Sequence, residues 1–129
     1  MNGSKEDIVR LWMKKAANDL KSAKKLASGS DKVLDTAIYH CQQAAEKAIK
    51  GYLVFVDIEV TKTHDLAFLV NKASSSDNSF VLLKDLAELL TPYATEYRYP
   101  DEELEPTQEE FEETYRSAKK FIEFIESKI

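Results

Sequence analysis

The spacing of apolar residues along the chain predicts helices rather than strands. In the first thirty residues, apolar or small side chains recur three or four positions apart, which places them on one face of a helix. They are Ile8, Trp12, Ala16, Leu20, Ala23 and Ala27. Ser4, with Asp7 three residues later, predicts the start of this helix, and Gly29 predicts its end.

A second helix is predicted from near Asp31 to about Val56, because apolar residues form a wide face along it. They are Leu34, Ala37, Ile38, Cys41, Ala44, Ala45, Ala48, Ile49 and Leu53. The helical period continues through Val56, so the β-branched and aromatic run that starts at Tyr52 is interpreted as the end of this helix and not as a strand. Asp57 is expected to take the left-handed conformation that follows many helices.

The next segment predicts two shorter helices separated by the polar linker 74–79. Thr63 is expected to cap a third helix from His64 to about Ala73, and a fourth helix is expected from about Phe80 to Leu90. Thr91 followed by Pro92 predicts a kink or a restart of the helix there.

Thr107 and Glu110 form a second capping-box pattern that opens the last helix. Its apolar stripe consists of Phe111, Tyr115, Ala118, Ile122, Ile125 and Ile129. We therefore predict one all-α domain over residues 1–129, an up-and-down antiparallel bundle of four main helices plus a short helix. The expected core includes Trp12, Leu20, Cys41, Ala45, Ile49, Tyr115, Ile122 and Ile125.

Composition and charge exclude several classes of function. The net charge is −5, and the stretch from Asp101 to Glu113 contains eight acidic residues and no basic one, so no broad basic face for DNA is expected. Cys41 is the only cysteine and the two histidines are far apart, so we expect no disulfide, metal or cofactor. The sequence contains neither a signal-peptide pattern nor an apolar run long enough to span a bilayer, which predicts a cytoplasmic protein without a membrane segment.

Four short pieces of the sequence, in order, resemble the HEPN family, the "higher eukaryotes and prokaryotes nucleotide-binding" domain. The most informative is the segment from Tyr39 to Lys50, which is similar to the second helix of that family. The other matching pieces are Trp12 with Ala16, Asp19 and Leu20; Thr63-His64-Asp65-Leu66; and Arg98-Tyr99-Pro100-Asp101. Asp57 and the pair Val60-Thr61 depart from the family, where Gly and Pro are common in these loops.

The resemblance implies a helical bundle that is often dimeric and often binds a minimal nucleotidyltransferase. Some HEPN relatives are toxins that cut RNA with an Arg and a His separated by four to six residues. At these spacings after Arg10, Arg98 and Arg116 the sequence has no His. The ribonuclease motif is therefore absent in this form, and its absence favours a protein that is not an enzyme.

Polar residues on the predicted second helix form a candidate binding stripe. His40, Gln43, Lys47 and Lys50 fall within an arc of roughly 80° on that helix. The stripe offers two ammonium groups, an imidazole and an amide, which suit a phosphate and the edge of a base. The alternative is a solvated face with an ordinary Glu46–Lys50 ion pair.

Three further residues belong to the candidate site. The resemblance places His64 beside the stripe, although a residue at a helix start can also have only a capping role. Arg98 and Tyr99 offer a guanidinium and a stacking ring to a nucleotide, and the alternative for Arg98 is an ion pair with Asp101.

Three functions remain open from the sequence. The first is a non-catalytic HEPN subunit that binds a nucleotide or substrate and acts with a nucleotidyltransferase. The second is a toxin-like ribonuclease whose pair, Arg98 with His64 or His40, assembles in space. The third is a purely structural helical dimer. A homodimer is expected in any case, because Phe121 and Phe124 lie beside the main apolar stripe of the last helix and are available as contacts.

Overall fold

The chain folds into five α-helices in a computed structural model, which describes residues 3–100 and 104–129. The helices are α1 (Lys5–Leu26), α2 (Leu34–Phe55), α3 (Leu66–Ser74), α4 (Lys84–Leu90) and α5 (Gln108–Glu126). Two 3₁₀ segments, Asn78–Leu83 and Thr91–Ala94, flank α4. The described ranges contain no strand, which confirms the predicted all-α class. No helix in them combines the length and the hydropathy that a bilayer crossing requires.

The α2 helix lies at the centre of the bundle, and α1 runs antiparallel to it. The start of α1 lies at the end of α2, where Lys5 forms an ion pair of 3.3 Å with Asp57. At the other end of α1, Asp19 bonds to His40 near the start of α2. A Cβ atom on Gly51 of α2 would lie 3.0 Å from the Cβ of Trp12, so glycine permits a very close approach of the two helices.

One connection departs from a strict up-and-down order. After α2, residues 57–65 run back along the bundle, so α3 begins beside the middle of α2. His64 lies 2.7 Å from Glu46 just before α3, and the Tyr52 hydroxyl reaches Ser76 just after it. These contacts show that α3 points in the same direction as α2. The α4 and α5 helices are antiparallel, since Tyr93 contacts Glu110 at one end and Asp77 pairs with Lys128 at the other.

The predicted caps of the first and last helices are confirmed. The Ser4 hydroxyl accepts a hydrogen bond of 3.1 Å from the backbone N–H of Asp7, and the Thr107 hydroxyl accepts one of 3.0 Å from Glu110. Asp57 has a φ of 60°, as expected for the left-handed residue after α2. The second helix begins later than predicted, at Leu34, after an N-cap residue that makes no side-chain cap.

The prediction that Thr63 caps the third helix is wrong. The N-cap is Asp65, whose carboxylate accepts a hydrogen bond of 3.2 Å from Phe68 N–H. Thr63 instead accepts one from the N–H of Asp65, two residues later. His64 therefore lies outside the helix, where its ring can reach α2. The fourth helix is also shorter than predicted, because the chain from 78 to 83 is 3₁₀; the restart at Thr91 is confirmed.

Most of the predicted core is buried, but the face of α1 is rotated from the expected one. Cys41, Ala45, Ile49, Ile122 and Ile125 are buried as predicted. In α1 the buried residues are Val9, Ala16, Asp19 and Ala23. The predicted core residues Trp12, Leu20 and Tyr115 are only partly buried. Since α1 lies close to α2, its small residues occupy the contact and its large ones lie at the edges.

The aromatic residues that suggested a dimer point inwards. Phe121 is fully buried, and Phe124 packs edge-on against buried Phe80 with 5.1 Å between ring centroids. The apolar face of α5 is therefore wide because it faces the core, and the argument for a dimer from these two residues is wrong. The homodimer itself stays a prediction that sedimentation at tens of micromolar protein would check.

Candidate functional site

The polar face of α2 is covered by other parts of the chain and gathers around two buried carboxylates. Asp19 of α1 lies against one end of the predicted stripe, and Glu46 of α2 lies against the other. Both carboxylates are at least 90% removed from solvent. Because an isolated buried charge is very unfavourable, each of them has charged or polar partners.

The Asp19 carboxylate joins His40 and Lys47. Its Oδ1 lies 2.8 Å from His40 Nδ1, and its Oδ2 lies 2.6 Å from Lys47 Nζ. The His40 and Lys47 side chains keep 27% and 30% of their surface exposed. These two members of the predicted stripe are therefore tied to α1 but still reach solvent.

The Glu46 carboxylate joins α2 to the segment before α3. Lys50 Nζ lies 2.8 Å from Oε2, and His64 Nδ1 lies 2.7 Å from Oε1. Burial by itself would raise the pKa of Glu46, but the hydrogen bonds from Lys50 and His64 outweigh it and hold that pKa below its ordinary value. Glu46 is thus a buried carboxylate that binds the buried Lys50 ammonium and the exposed His64 ring.

Two glutamine amides complete this network. Gln42 is fully buried, and its Nε2 donates to the backbone carbonyl of His64 at 3.1 Å and to Glu46 at 3.3 Å. Gln43 Nε2 donates to Gln42 Oε1 at 2.7 Å. In the described part of the chain no buried side-chain nitrogen or oxygen lacks a partner. The buried polar groups around Glu46 therefore all have partners within the chain, and these hydrogen bonds hold residues 57–65 against α2.

A cleft opens beside the Asp19 end of the stripe. It has a volume of about 310 Å³ and is lined by Asp35, Thr36, Tyr39, His40, Tyr97 and Arg98. The Arg98 guanidinium carbon lies 3.9 Å from the centroid of the Tyr39 ring, a cation–π stack. Arg98 Nη1 also donates to the carbonyl of Ala94 at 3.3 Å. Residues of α2 and of the loop after α4 thus meet around one space.

The loop that carries Arg98 is anchored to α5. The Tyr97 hydroxyl donates to the Glu110 carboxylate at 3.0 Å, and the Tyr93 hydroxyl donates to the same carboxylate. Burial and then Glu110 raise the pKa of Tyr93, so this hydroxyl stays protonated as a donor. Tyr97 has a φ of 66°, in the left-handed region that a bulky residue rarely adopts. This strain turns the chain so that Arg98 lies over Tyr39.

A second cleft, of about 270 Å³, has the opposite electrostatic character. It is lined by Leu89, Tyr93, Thr107, Glu109, Glu110, Glu113 and Thr114. Three carboxylates and no cation would repel a phosphate. The cleft with Arg98 is therefore the better candidate for an anionic ligand. No group of three or more His, Cys, Asp or Glu side chains suited to a metal occurs in residues 3–100 and 104–129.

The seven residues predicted for the site fall into three places. His40 and Arg98 line the same cleft, and Lys47 shares Asp19 with His40. Gln43, Lys50 and His64 belong to the Glu46 network, where the anticipated Glu46–Lys50 pair is present and Lys50 is buried. Tyr99 follows the cleft residues and is 60% exposed. The alternative partner of Arg98, Asp101, lies outside the described residues.

The sequence interpretation missed Asp19 as a partner of the stripe, and it considered Glu46 only as an ion-pair partner of Lys50 on a solvated face. A signal for Asp19 was present: it lies three residues after Ala16 and four before Ala23, on the buried face of α1. A charged residue in an apolar stripe predicts a buried partner. Cys41 was interpreted as a small core residue, and burial raises its pKa to about 12, so the thiol is a poor nucleophile.

The chain is thus a small all-α protein. It has two buried carboxylates, each with its own partners, and a cleft lined by an arginine and a histidine. The sequence model of the HEPN domain matches residues 9–128, and the chain therefore belongs to the HEPN family. Two solved structures are similar throughout. TT1696 from Thermus thermophilus is 27% identical with a TM-score of 0.78, and the match covers 94% of this chain and 98% of that one.

The second is the structure of ST0689, an archaeal HEPN homologue. It is 28% identical with a TM-score of 0.73, and the match covers 93% of this chain and 96% of that one. A comparison with curated protein sequences gives no significant match. The family resemblance inferred from Tyr39 to Lys50 and the three shorter pieces is thus confirmed.

Proposed function

We propose that the chain is a non-catalytic HEPN subunit that holds a nucleotide, or a substrate bearing one, in the cleft lined by His40 and Arg98. In this proposal it acts with a nucleotidyltransferase partner. The observation that supports it most is the Arg98 guanidinium stacked on Tyr39 at the wall of a cleft of about 310 Å³. That volume is at the lower end of the usual range for small-molecule sites, about 300–1,000 Å³.

The chemistry of the lining suits each part of a nucleotide. A guanidinium presents several N–H donors in a fork that matches the oxygens of a phosphate. Stacking on Tyr39 holds that fork in one plane, which reduces the side-chain entropy lost on binding. Tyr97 offers an aromatic surface, and the Thr36 hydroxyl and Asp35 carboxylate offer polar groups for a sugar or a base edge.

Binding is tested by titrating the purified chain with nucleoside monophosphates and following ¹⁵N–¹H chemical shifts. Arg98→Ala should weaken binding at least tenfold, because a charged hydrogen bond contributes more than a neutral one. Arg116→Ala is the matched control, since Arg116 is an exposed arginine of α5 outside this cleft. Equal losses in both variants, or equal binding by both, would show that the cleft is not the site.

The nucleotidyltransferase partner has its own experiment. HEPN relatives often pair with such enzymes, and the ligand of the cleft would then be the nucleotide that the partner transfers. Affinity purification of the tagged chain from its native host should recover a nucleotidyltransferase in stoichiometric amount. Recovery of the chain alone, at concentrations at which it binds nucleotides, would contradict a stable partnership.

A ribonuclease is the second candidate, and one observation favours it. Arg98 and His40 are far apart in the sequence but line the same cleft, as the second hypothesis from the sequence requires. His64 is bound to Glu46 and is not part of the described lining. RNA cleavage without a metal needs a base or acid near the 2′-hydroxyl and a cation for the phosphate charge.

The two candidates are separated by incubating the chain with mixed RNA in the presence of a chelator. We expect no cleavage. Cleavage that is lost in both His40→Ala and Arg98→Ala would overturn the non-catalytic proposal and favour the toxin-like one. Cleavage that survives both substitutions would point to a contaminating nuclease.

A further inference from the structure

Asp19 lies where it can fix the orientation of the His40 ring, which lines the cleft. It is buried, it comes from α1, and it touches the cleft only through His40. Lys47 Nζ binds the other carboxylate oxygen at 2.6 Å, so the carboxylate cannot turn away from His40. A side chain held at both oxygens is a rigid support for the imidazole it contacts.

The contact also selects the protonation pattern of the ring. A carboxylate only accepts hydrogen bonds, so His40 Nδ1 must carry the proton that points at Asp19 Oδ1. In the neutral ring the other nitrogen, Nε2, is then an acceptor. No hydrogen bond to this nitrogen occurs among the residues that the structure describes, and the ring lines the cleft.

We propose that Asp19 is a positioning residue that makes His40 Nε2 the acceptor for a ribose 2′-hydroxyl, so that the cleft prefers ribonucleotides to deoxyribonucleotides. The inference rests on the proposed function, since it names the class of nucleotide. Arg98 and His40 both contact Tyr39, whose ring centroid is 5.7 Å from that of His40. With the phosphate at Arg98, the sugar is the part of the ligand that follows it and meets His40.

Asp19→Asn gives a sharp test, because Lys47 determines how the new amide turns. The ammonium group needs an acceptor, so the amide oxygen faces Lys47 and the amide nitrogen, a donor, faces His40. The ring should then become an acceptor at Nδ1 and carry its proton on Nε2. Asp31→Asn is the matched control, since it neutralises an exposed aspartate outside the cleft.

The first readout is the ¹⁵N spectrum of the two histidine rings, which reports the protonated nitrogen without any ligand. The parent and Asp31→Asn should have the proton of neutral His40 on Nδ1, and Asp19→Asn should have it on Nε2. A His40 ring protonated mainly on Nε2 in the parent would overturn the inference. A structural role alone for Asp19 would not reverse the tautomer of a folded protein.

The second readout compares adenosine monophosphate with its 2′-deoxy form. The parent and Asp31→Asn should bind the ribonucleotide about five- to tenfold more tightly, the effect of one added hydrogen bond. Asp19→Asn should narrow this difference, because His40 Nε2 then carries a proton and can no longer accept the proton of the hydroxyl. The same comparison between a ribo- and a deoxyribo-trinucleotide shows whether the cleft binds a free nucleotide or the end of a strand. Equal, Arg98-dependent binding of both forms by the parent would overturn the inference and leave the proposed function standing. Absence of any binding would overturn both.

Discussion

Lys50 Nζ and Glu46 Oε2 lie 2.8 Å apart one turn from each other on α2, with more than 90% of each side chain buried. On an exposed helix such a pair would add only a few tenths of a kcal/mol. Inside the bundle each charge depends on the other, because removing one leaves an uncompensated ion in a poorly polarisable environment.

The first prediction follows from that pair. Lys50→Met should destabilise the fold by about 3–5 kcal/mol, since Glu46 would remain buried without an ammonium partner and with His64 and two glutamine amides as its partners. The measurement is urea unfolding. The double variant Glu46→Gln/Lys50→Met should recover part of the loss, because it removes the orphaned charge. A single variant within about 0.5 kcal/mol of the parent would show that the pair contributes nothing.

The second prediction concerns the stability of the fold at acidic pH. The pKa of Glu46 is lowered in the folded chain, so the folded state binds fewer protons than the unfolded state in the acidic range. The stability from this group is complete above the ordinary pKa of about 4.3 and is lost as the pH falls through the lowered value.

Glu46→Gln should therefore flatten the fall in unfolding free energy below about pH 4.5. Asp7 and Asp77 also have lowered pKa values, from hydrogen bonds with Ser4 and Ser79, so some slope should remain. Glu88→Gln, on an exposed face of α4, controls for the loss of one carboxylate. Identical slopes for the two variants would contradict the role of Glu46.

The third prediction separates a core position from a contact surface. Phe121 is fully buried, so Phe121→Ala should cost about 3–5 kcal/mol in unfolding free energy. Leu82→Ala is the control at an exposed apolar residue, and its effect should stay within about 0.5 kcal/mol. If Phe121→Ala kept its stability and changed the sedimentation of the protein instead, Phe121 would be an intermolecular contact.

The fourth prediction is that Gly51→Ala destabilises the protein although alanine favours helices. The added methyl would lie 3.0 Å from the Cβ of Trp12, which moves only with the α1 backbone, and 3.1 Å from Met13 Sδ. Overpacking costs about 1–3 kcal/mol, and the gain in helix propensity is about 1 kcal/mol.

We expect a net loss of about 1 kcal/mol for Gly51→Ala in thermal and urea unfolding. Ala17→Gly, at an exposed position of α1, measures the propensity term in this protein. A stabilised Gly51→Ala variant would mean that α1 and α2 separate easily, contrary to their close approach at this glycine.

Helical periodicity was sufficient to predict the class of fold and much of the core, because residues such as Ile49 and Ile125 recur on one face of long helices. It could not predict that residues 57–65 double back. That path depends on the contact between Glu46 and His64, two residues that are 18 positions apart in the sequence. The caps show the same limit. Thr63 and Asp65 are both good N-cap residues, and tertiary packing chose between them.

The arrangement of the candidate site could be predicted only in part, for a similar reason. The stripe on α2 identified His40, Lys47 and Lys50, because one helix fixes their relative angles. Which of them remain open to a ligand depends on what other segments place over the helix. Asp19 arrives from α1 and Arg98 from the loop after α4, and neither distance can be obtained from the period of α2 alone.

The central place of α2 has a consequence for motion. Of its 22 residues, 13 are buried, and α1, α3 and α5 all pack against it. We expect the amide hydrogens in its interior to exchange slowly, because they reach solvent only when neighbouring helices separate. His40 and Tyr39 lie on this helix, while Arg98 lies in the segment that follows α4. In the proposed binding function, we therefore expect movement on the Arg98 side of the cleft and little movement of α2.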